Sequence, residues 1–136
     1  MSDATLALRA AIQAHLARND DLTELIGEGR VFDEAPRAAS GVYVVHGDVE
    51  AQDWSTGSDA GCEQEISLVV WAGQSSSARQ ALEAAAIVTA ALHDAALELE
   101  GHSLVNLRWR SSRLARDARN GLPFVTIRLR AVTEAE

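Results

Sequence analysis

Lysine is absent from this chain of 136 residues, and cysteine, proline and aromatic residues are scarce. The single cysteine, Cys62, excludes an internal disulfide bond and a metal site built from several cysteines. No apolar run approaches the roughly 18–20 residues that a membrane-spanning helix requires, and the N-terminus lacks the positive start of a signal peptide. These absences predict one small domain that meets no membrane and is made in a cytoplasm-like compartment.

All twelve basic residues are arginines, and they are unevenly distributed. Residues 1–100 carry seventeen acids and five arginines, a net charge of −12; residues 101–136 carry three acids and seven arginines, a net charge of +4; the sum is −8. Because guanidinium groups bind carboxylates bidentately, we expect the acidic part of one copy to contact the basic end of another. The total of −8 argues against general binding to nucleic-acid phosphates, but not against DNA that merely passes the protein.

Hydrophobic periodicity predicts the helices. Apolar residues at helical spacing predict an amphipathic helix over residues 4–18, capped by Ser2 or Asp3, and a short helical segment follows over 20–26. Ser77 and Gln80 form a capping box, and the apolar stripe after them predicts a second long helix over 77–96.

Alternating apolar and polar residues predict the strands. The segment between the first two main strands, residues 48–61, is polar and aperiodic, and we interpret it as a long functional loop that becomes ordered on assembly. Strands grouped in this way, with helices between them, predict an α+β fold over residues 1–136, a mainly antiparallel sheet with the helices packed on one face. The main strands are predicted at 42–46, 62–72, 104–114 and 122–132.

The last two strands are predicted to form a hairpin around the Asn120-Gly121 turn. Val105, Leu107 and Trp109 alternate with the arginines and are expected to join the core. The arginines form either an interface with another copy or an ordinary solvated face. Trp54, in the polar loop, is either a contact for a partner or a ring buried by local folding. The candidate interface residues are therefore Trp54, Arg108, Arg110, Arg113, Arg116 and Arg119.

No catalytic, cofactor or metal site is predicted. His46 ends a strand and could approach Asp48 or Glu50 as a base–carboxylate pair, so a small hydrolase is an alternative hypothesis. No nucleophile is evident beside this pair. Cys62 begins an apolar strand face and is predicted to be a structural residue. A monomeric protein-binding adaptor is the second alternative.

Several segments together resemble one protein family, the tail-terminator (tail-completion) proteins of long-tailed phages and phage-like gene transfer agents. The resemblance covers nearly the whole chain, and its motifs are structural. They are the opening helix with Leu6, Leu8 and Leu16, the run from Leu22 to Asp33 before Pro36, Val42 to Val45 followed by Trp54, Leu68 to Trp71, Leu104 to Arg108, and Arg113, Arg116-Asp117 and Asn120-Gly121.

The resemblance implies a structural role in a particle. Such proteins form a ring, usually hexameric, that caps the head-proximal end of the tail tube and stops its growth. The expected partners are other copies of the chain, the tail tube protein and the head–tail connector, with DNA passing through the lumen. The expected location is the tail–neck region of a virion, after assembly in the bacterial cytoplasm.

Overall fold

The computed structural model describes residues 3–37, 39–55, 57 and 60–136. Within them the sheet has six strands in the order β1-β2-β3-β6-β5-β4, and only the β1–β2 pair is parallel. The predicted α+β fold, mainly antiparallel, is confirmed. The elements in chain order are α1 (Ala4–Ala17), α2 (Asp20–Ile26), β1 (Val31–Phe32), β2 (Tyr43–Asp53), β3 (Gly61–Trp71), α3 (Ala78–Leu92), β4 (Glu98–Leu99), β5 (His102–Arg116) and β6 (Pro123–Ala135).

Side-chain caps fix where both long helices begin. The Asp3 carboxylate accepts the backbone N–H of Thr5 at 2.7 Å; Ser2, the other predicted cap, lies outside the described residues. At α3, Ser77 Oγ accepts the Gln80 N–H at 3.3 Å and Gln80 Oε1 accepts the Ser77 N–H at 3.0 Å, which confirms the capping box. None of the helices described has the length and apolar character needed to cross a membrane.

The helices pack against one face of the sheet and bury a single apolar core. The inward side of α3 is made of small residues, including Ala81 and Ala84, which are fully buried. Small side chains let the helix lie close to β6, where Val125, Ile127 and Leu129 are also fully buried. The second long helix thus lies across the last hairpin, and the prediction that helices pack on one face of the sheet is confirmed.

The second strand is longer than predicted. β2 remains paired with β3 as far as Asp53↔Cys62, so only residues 54–60 connect the two strands. The prediction of a loop over 48–61 is therefore wrong for its first half; residues 56, 58 and 59 lie outside the described residues. Residues 48–53 are exposed on both faces, and a bulge between His46 and Val49 interrupts the alternation of apolar and polar residues along the strand. Residues 48–53 form a strand because they pair with β3.

The prediction that Val105 and Trp109 join the core is also wrong. Val105 is 52% exposed and Trp109 is 42% exposed, whereas Leu107 between them is fully buried. β5 contains one bulge between Leu104 and Asn106 and another between Trp109 and Ser111. The first bulge displaces Val105 from the two-residue alternation. Trp109 keeps the expected face, paired with Leu129, and is exposed there at the edge of the sheet.

Candidate assembly surface

Beyond Trp109, β5 is an outer edge of the sheet. β4 pairs only with the start of β5. The segment after α3 covers the next residues: the Asp94 N–H donates to Leu107 O at 2.8 Å, and the Trp109 N–H donates to His93 Nδ1 at 3.1 Å. From residue 110 to residue 116, no strand of the described chain pairs with the outer side of β5. This edge carries most of the arginines predicted from the sequence.

Two of the five predicted arginines have partners within the chain. Arg108 Nε lies 3.5 Å from the Asp94 carboxylate, which holds this arginine against the end of α3. Arg116 Nη1 donates to Gly121 O at 3.2 Å, across the β5–β6 turn. Gly121 has φ 72°, a left-handed conformation that favours glycine.

The other three arginines are available to a partner. Arg110, at the second bulge, and Arg113 are exposed and make no ion pair with any carboxylate of the described residues. Arg119 lies in the turn, where its backbone N–H donates to the Asp117 carboxylate at 2.7 Å and leaves its side chain exposed. The five arginines thus follow the edge and the turn and do not form one compact cluster.

Trp54 lies beside an ion pair on the face of the sheet that the helices leave uncovered. The Arg130 guanidinium carbon is 5.2 Å from the centroid of the Trp54 ring, a distance typical of a cation–π contact. Arg130 Nε donates to Glu63 Oε2 at 2.7 Å, and Gln52 donates to the same carboxylate. Trp54 nevertheless remains 47% exposed. Its ring therefore contacts its own chain and is still accessible to a partner.

The Glu63 carboxylate is held in its ionised form. The hydrogen bond from Gln52, followed by the hydrogen bond from Arg130, lowers the pKa of Glu63 below its ordinary value of 4.5. Because the folded-state pKa is lowered, the stability from this pair is fully present above pH 4.5 and is lost as the pH falls through the lowered pKa. The Trp54–Arg130–Glu63 arrangement therefore persists at neutral pH.

The opposite edge of the sheet is acidic. β1 pairs only with Val44 and Val45 of β2, and the outer half of β2 is exposed. Asp48, Glu50 and Asp53 lie in this half. These acids were not among the predicted interface residues, because the sequence does not indicate which carboxylates face the arginines.

His46 does not form the pair on which the hydrolase hypothesis depends. Its Nε2 lies 2.9 Å from Gln13 Oε1, while Gln13 Nε2 donates to Val31 O at 2.8 Å. Since the Gln13 oxygen faces the ring, Nε2 of His46 carries the proton. Burial lowers the pKa of His46 to about 4; Arg9 adds to this effect and Asp33 opposes it. The charged groups that act on His46 are thus neither Asp48 nor Glu50.

Replacing His46 with glutamine is expected to remove part of the pH dependence of folding. The unfolded chain takes up a proton near the ordinary pKa of 6.5, but the folded chain does so only near pH 4. The contribution of neutral His46 to stability therefore falls as the pH drops from 6.5 to 4. Urea unfolding of the wild-type protein and the variant at several pH values measures the difference between their unfolding free energies. The other titrating groups contribute equally to both proteins and cancel in this difference. A difference that stays constant across this range would contradict the assignment.

The remaining candidate residues have structural contacts. Cys62 is half-buried, and burial raises the pKa of its thiol, with the Asp3 and Asp53 carboxylates adding to the effect; the thiolate needed by a nucleophile is therefore disfavoured. His15 Nε2 lies 2.9 Å from Ala91 O and links α1 to α3. In the part of the chain that the structure describes, no three metal-binding side chains are grouped together.

Comparisons with known proteins agree with the resemblance. Residues 10–134 match the family described as tail completion protein gp17. Among solved structures, the chain is similar to one from the virion of a native gene transfer agent (GTA) particle, with 28% sequence identity, a TM-score of 0.87 and coverage of 99% of this chain and 100% of that chain. No curated protein matches the sequence. The chain therefore belongs to the tail completion protein gp17 family and is a structural protein of a phage-type virion tail.

Proposed function

We propose that the protein is a tail terminator: a hexameric ring of this chain caps the head-proximal end of the tail tube, stops its growth and joins it to the head–tail connector. The observation that supports this most strongly is the end-to-end similarity to a chain of a gene transfer agent virion, together with membership of a tail completion family. A protein that completes a tail is required where the tube ends and the connector begins.

The distribution of charge supports a ring. The acidic and basic surfaces are different parts of the chain, so an attraction between them is a heterologous contact, which closes into a ring when the rotation between copies permits it. Arg110 and Arg113 are exposed and unpaired among the described residues, and so remain available for such a contact. Because exposed charges are screened over roughly 3 Å at 1 M salt, the ring should dissociate more readily as salt is added.

We further propose that the uncovered face of the sheet lines the lumen through which DNA passes. The register places Glu65 between Glu50 and Arg130 on this face, and Arg108 beyond Arg130. Both signs of charge therefore occur on this face, negative on β2 and β3 and positive on β6 and β5. Such a surface offers DNA phosphates no continuous basic track, so DNA can move past it without adhering.

Trp54 is our candidate for a contact outside the subunit. One part of the ring is occupied by Arg130 and the rest is exposed. Tryptophan is enriched at interface positions that contribute strongly to binding. We propose that the exposed part of Trp54 meets a neighbouring copy, the tube protein or the connector.

A reconstruction of the complete particle tests this function. The expected result is a ring of this protein between the tail tube and the connector. Finding the protein elsewhere in the particle would contradict the function, and another copy number would change only the stoichiometry. A chain absent from particles that remains monomeric when concentrated would instead fit a binding adaptor.

A further inference from the structure

We propose that neighbouring copies join by antiparallel pairing of the outer edge of β5 (residues 110–116) in one copy with the outer edge of β2 (residues 48–53) in the next. The sheets of all copies then form one continuous sheet around the ring. The inference rests on the proposed function, and it identifies the subunit interface of that ring.

The first support is that both edges are open. β1 covers only the start of β2, and β4 covers only the start of β5. Over residues 48–53 and 110–116, no other strand of the described chain lies on the outer side. Unpaired N–H and C=O groups on an edge strand are a template for pairing with another strand.

The second support is that the edges carry opposite charges. The β2 edge carries Asp48, Glu50 and Asp53, whereas the β5 edge carries Arg110, Arg113 and Arg116. Like charges placed opposite each other destabilise a strand pair, and opposite charges stabilise it. Two β2 edges therefore repel each other, as do two β5 edges. Only the mixed pairing is favoured, and it is the heterologous contact that a ring needs.

The third support is strand direction. β2 is antiparallel to β3, β3 to β6, and β6 to β5, so β2 and β5 run in opposite directions. Copies related by rotation about the ring axis keep the sense of their strands along that axis. A β5–β2 contact between neighbours is therefore antiparallel, like the pairs inside each subunit. The two open segments lie at different heights along the strands, as the stagger of a closed barrel requires.

Charge pairing selects one register. Placing Glu50 opposite Arg113 requires both side chains to lie on the same face of the joined sheet. Glu50 is paired with Glu65, which is paired with Arg130, and Arg113 is paired with Thr126. Thr126 and Arg130 are separated by an even number of residues along β6 and share a face. Glu50 and Arg113 thus both lie on the uncovered face.

An independent observation agrees with this register. It places Val49 directly opposite Leu114. Val49 is 37% exposed and Leu114 is 44% exposed, and both lie on the helix-bearing face, since their partners Ile66 and Val125 belong to the core. Each side chain would cover the other. If one strand were shifted by one residue, the side chains of that strand would lie on the opposite face, and neither the Glu50–Arg113 pair nor the Val49–Leu114 pair could form.

Cysteine cross-linking in purified particles tests the pairing. The same register places Ala51 opposite Ser112, two small, exposed, neutral residues whose replacement leaves every edge charge intact. In a Cys62→Ser background, Ala51→Cys with Ser112→Cys should give, on oxidation, a ladder of covalent multimers in a denaturing gel. Either cysteine alone should leave monomers. The control pair, Ala51→Cys with Ser103→Cys, uses an exposed serine of the same strand outside the proposed contact and should also leave monomers.

The outcomes separate the two proposals. A ladder specific to the Ala51/Ser112 pair supports the strand pairing. Monomers from that pair, in particles where the protein still forms a ring at the tube–connector junction, would overturn the strand pairing and leave the proposed function intact. A ladder of equal extent from the Ser103 control would also overturn it. Absence of the protein from the junction would instead overturn the proposed function.

Discussion

Replacing Leu129 with alanine is expected to destabilise the folded subunit by about 2–5 kcal/mol, the usual cost of removing a buried leucine side chain from a core. Leu129 is fully buried and lies on β6 between Ile66 of β3 and Trp109 of β5. Since small domains have a total stability of about 5–15 kcal/mol, the loss is a large fraction of the whole. The urea midpoint should fall while the slope of the transition stays unchanged.

Leu82→Ala is the matched control for that substitution. Leu82 lies on α3 but is 45% exposed, so its truncation should change stability by no more than about 0.5 kcal/mol. Equal losses from the two substitutions would mean that α3 does not cover β6 as described. The comparison therefore tests the helix–hairpin packing that holds the β5 edge in place.

β6 links the core to the surface proposed for assembly. Its inward side chains, including Ile127 and Leu129, are fully buried, and on the opposite face Arg130 contacts Trp54 and Glu63. Because the two sets alternate along one strand, core packing also fixes where the charged face points. A core substitution that unfolds the hairpin would consequently disrupt assembly without touching an interface residue.

Local signals in the sequence were sufficient to predict the helices. The Ser77–Gln80 capping box and the periodicity after it predicted α3, whose start is confirmed at Ala78. These signals are short-range, and backbone hydrogen bonds within a helix connect residues that are close in sequence. The predicted end at residue 96 was too late, because Asp94 leaves the helix to bond Leu107 of β5. No local pattern encodes that contact.

The edges of the sheet were harder to predict because they depend on distant pairing. The outer half of β2 is polar and exposed and resembles a loop in sequence, yet it is held by β3 as far as Asp53. Trp109 lies on its expected face, paired with Leu129, but this edge of the sheet leaves it 42% exposed, and no residue type marks that edge. The charge distribution along the sequence predicted the arginines as interface candidates, whereas Asp48, Glu50 and Asp53 share one open edge only in the folded sheet.

Reversing the charge of the β5 edge is expected to abolish tail termination. In Arg110→Glu with Arg113→Glu, both open edges become acidic and attraction between copies becomes repulsion. Exposed ion pairs contribute about 0.2–1 kcal/mol each, so losing two and adding repulsion costs about 1–3 kcal/mol per contact, a loss of affinity of roughly 5- to 150-fold. The loss recurs at every contact of the ring. Electron microscopy should show overlong or headless tails, while circular dichroism shows an unchanged fold.

Two further variants separate edge pairing from a general effect of net charge. Arg18→Glu with Arg37→Glu makes the same change in charge at exposed positions away from both edges, and its tails should be normal. Adding Glu50→Arg and Asp53→Arg to the β5 variant makes the β2 edge basic while the β5 edge stays acidic. Opposite charges then face each other again, with the two signs exchanged, and the attraction returns. Normal tails from this four-residue variant would require that these two edges meet each other. If the variant failed while its fold remained intact, the arginines would have to act on a partner other than β2 of the next copy.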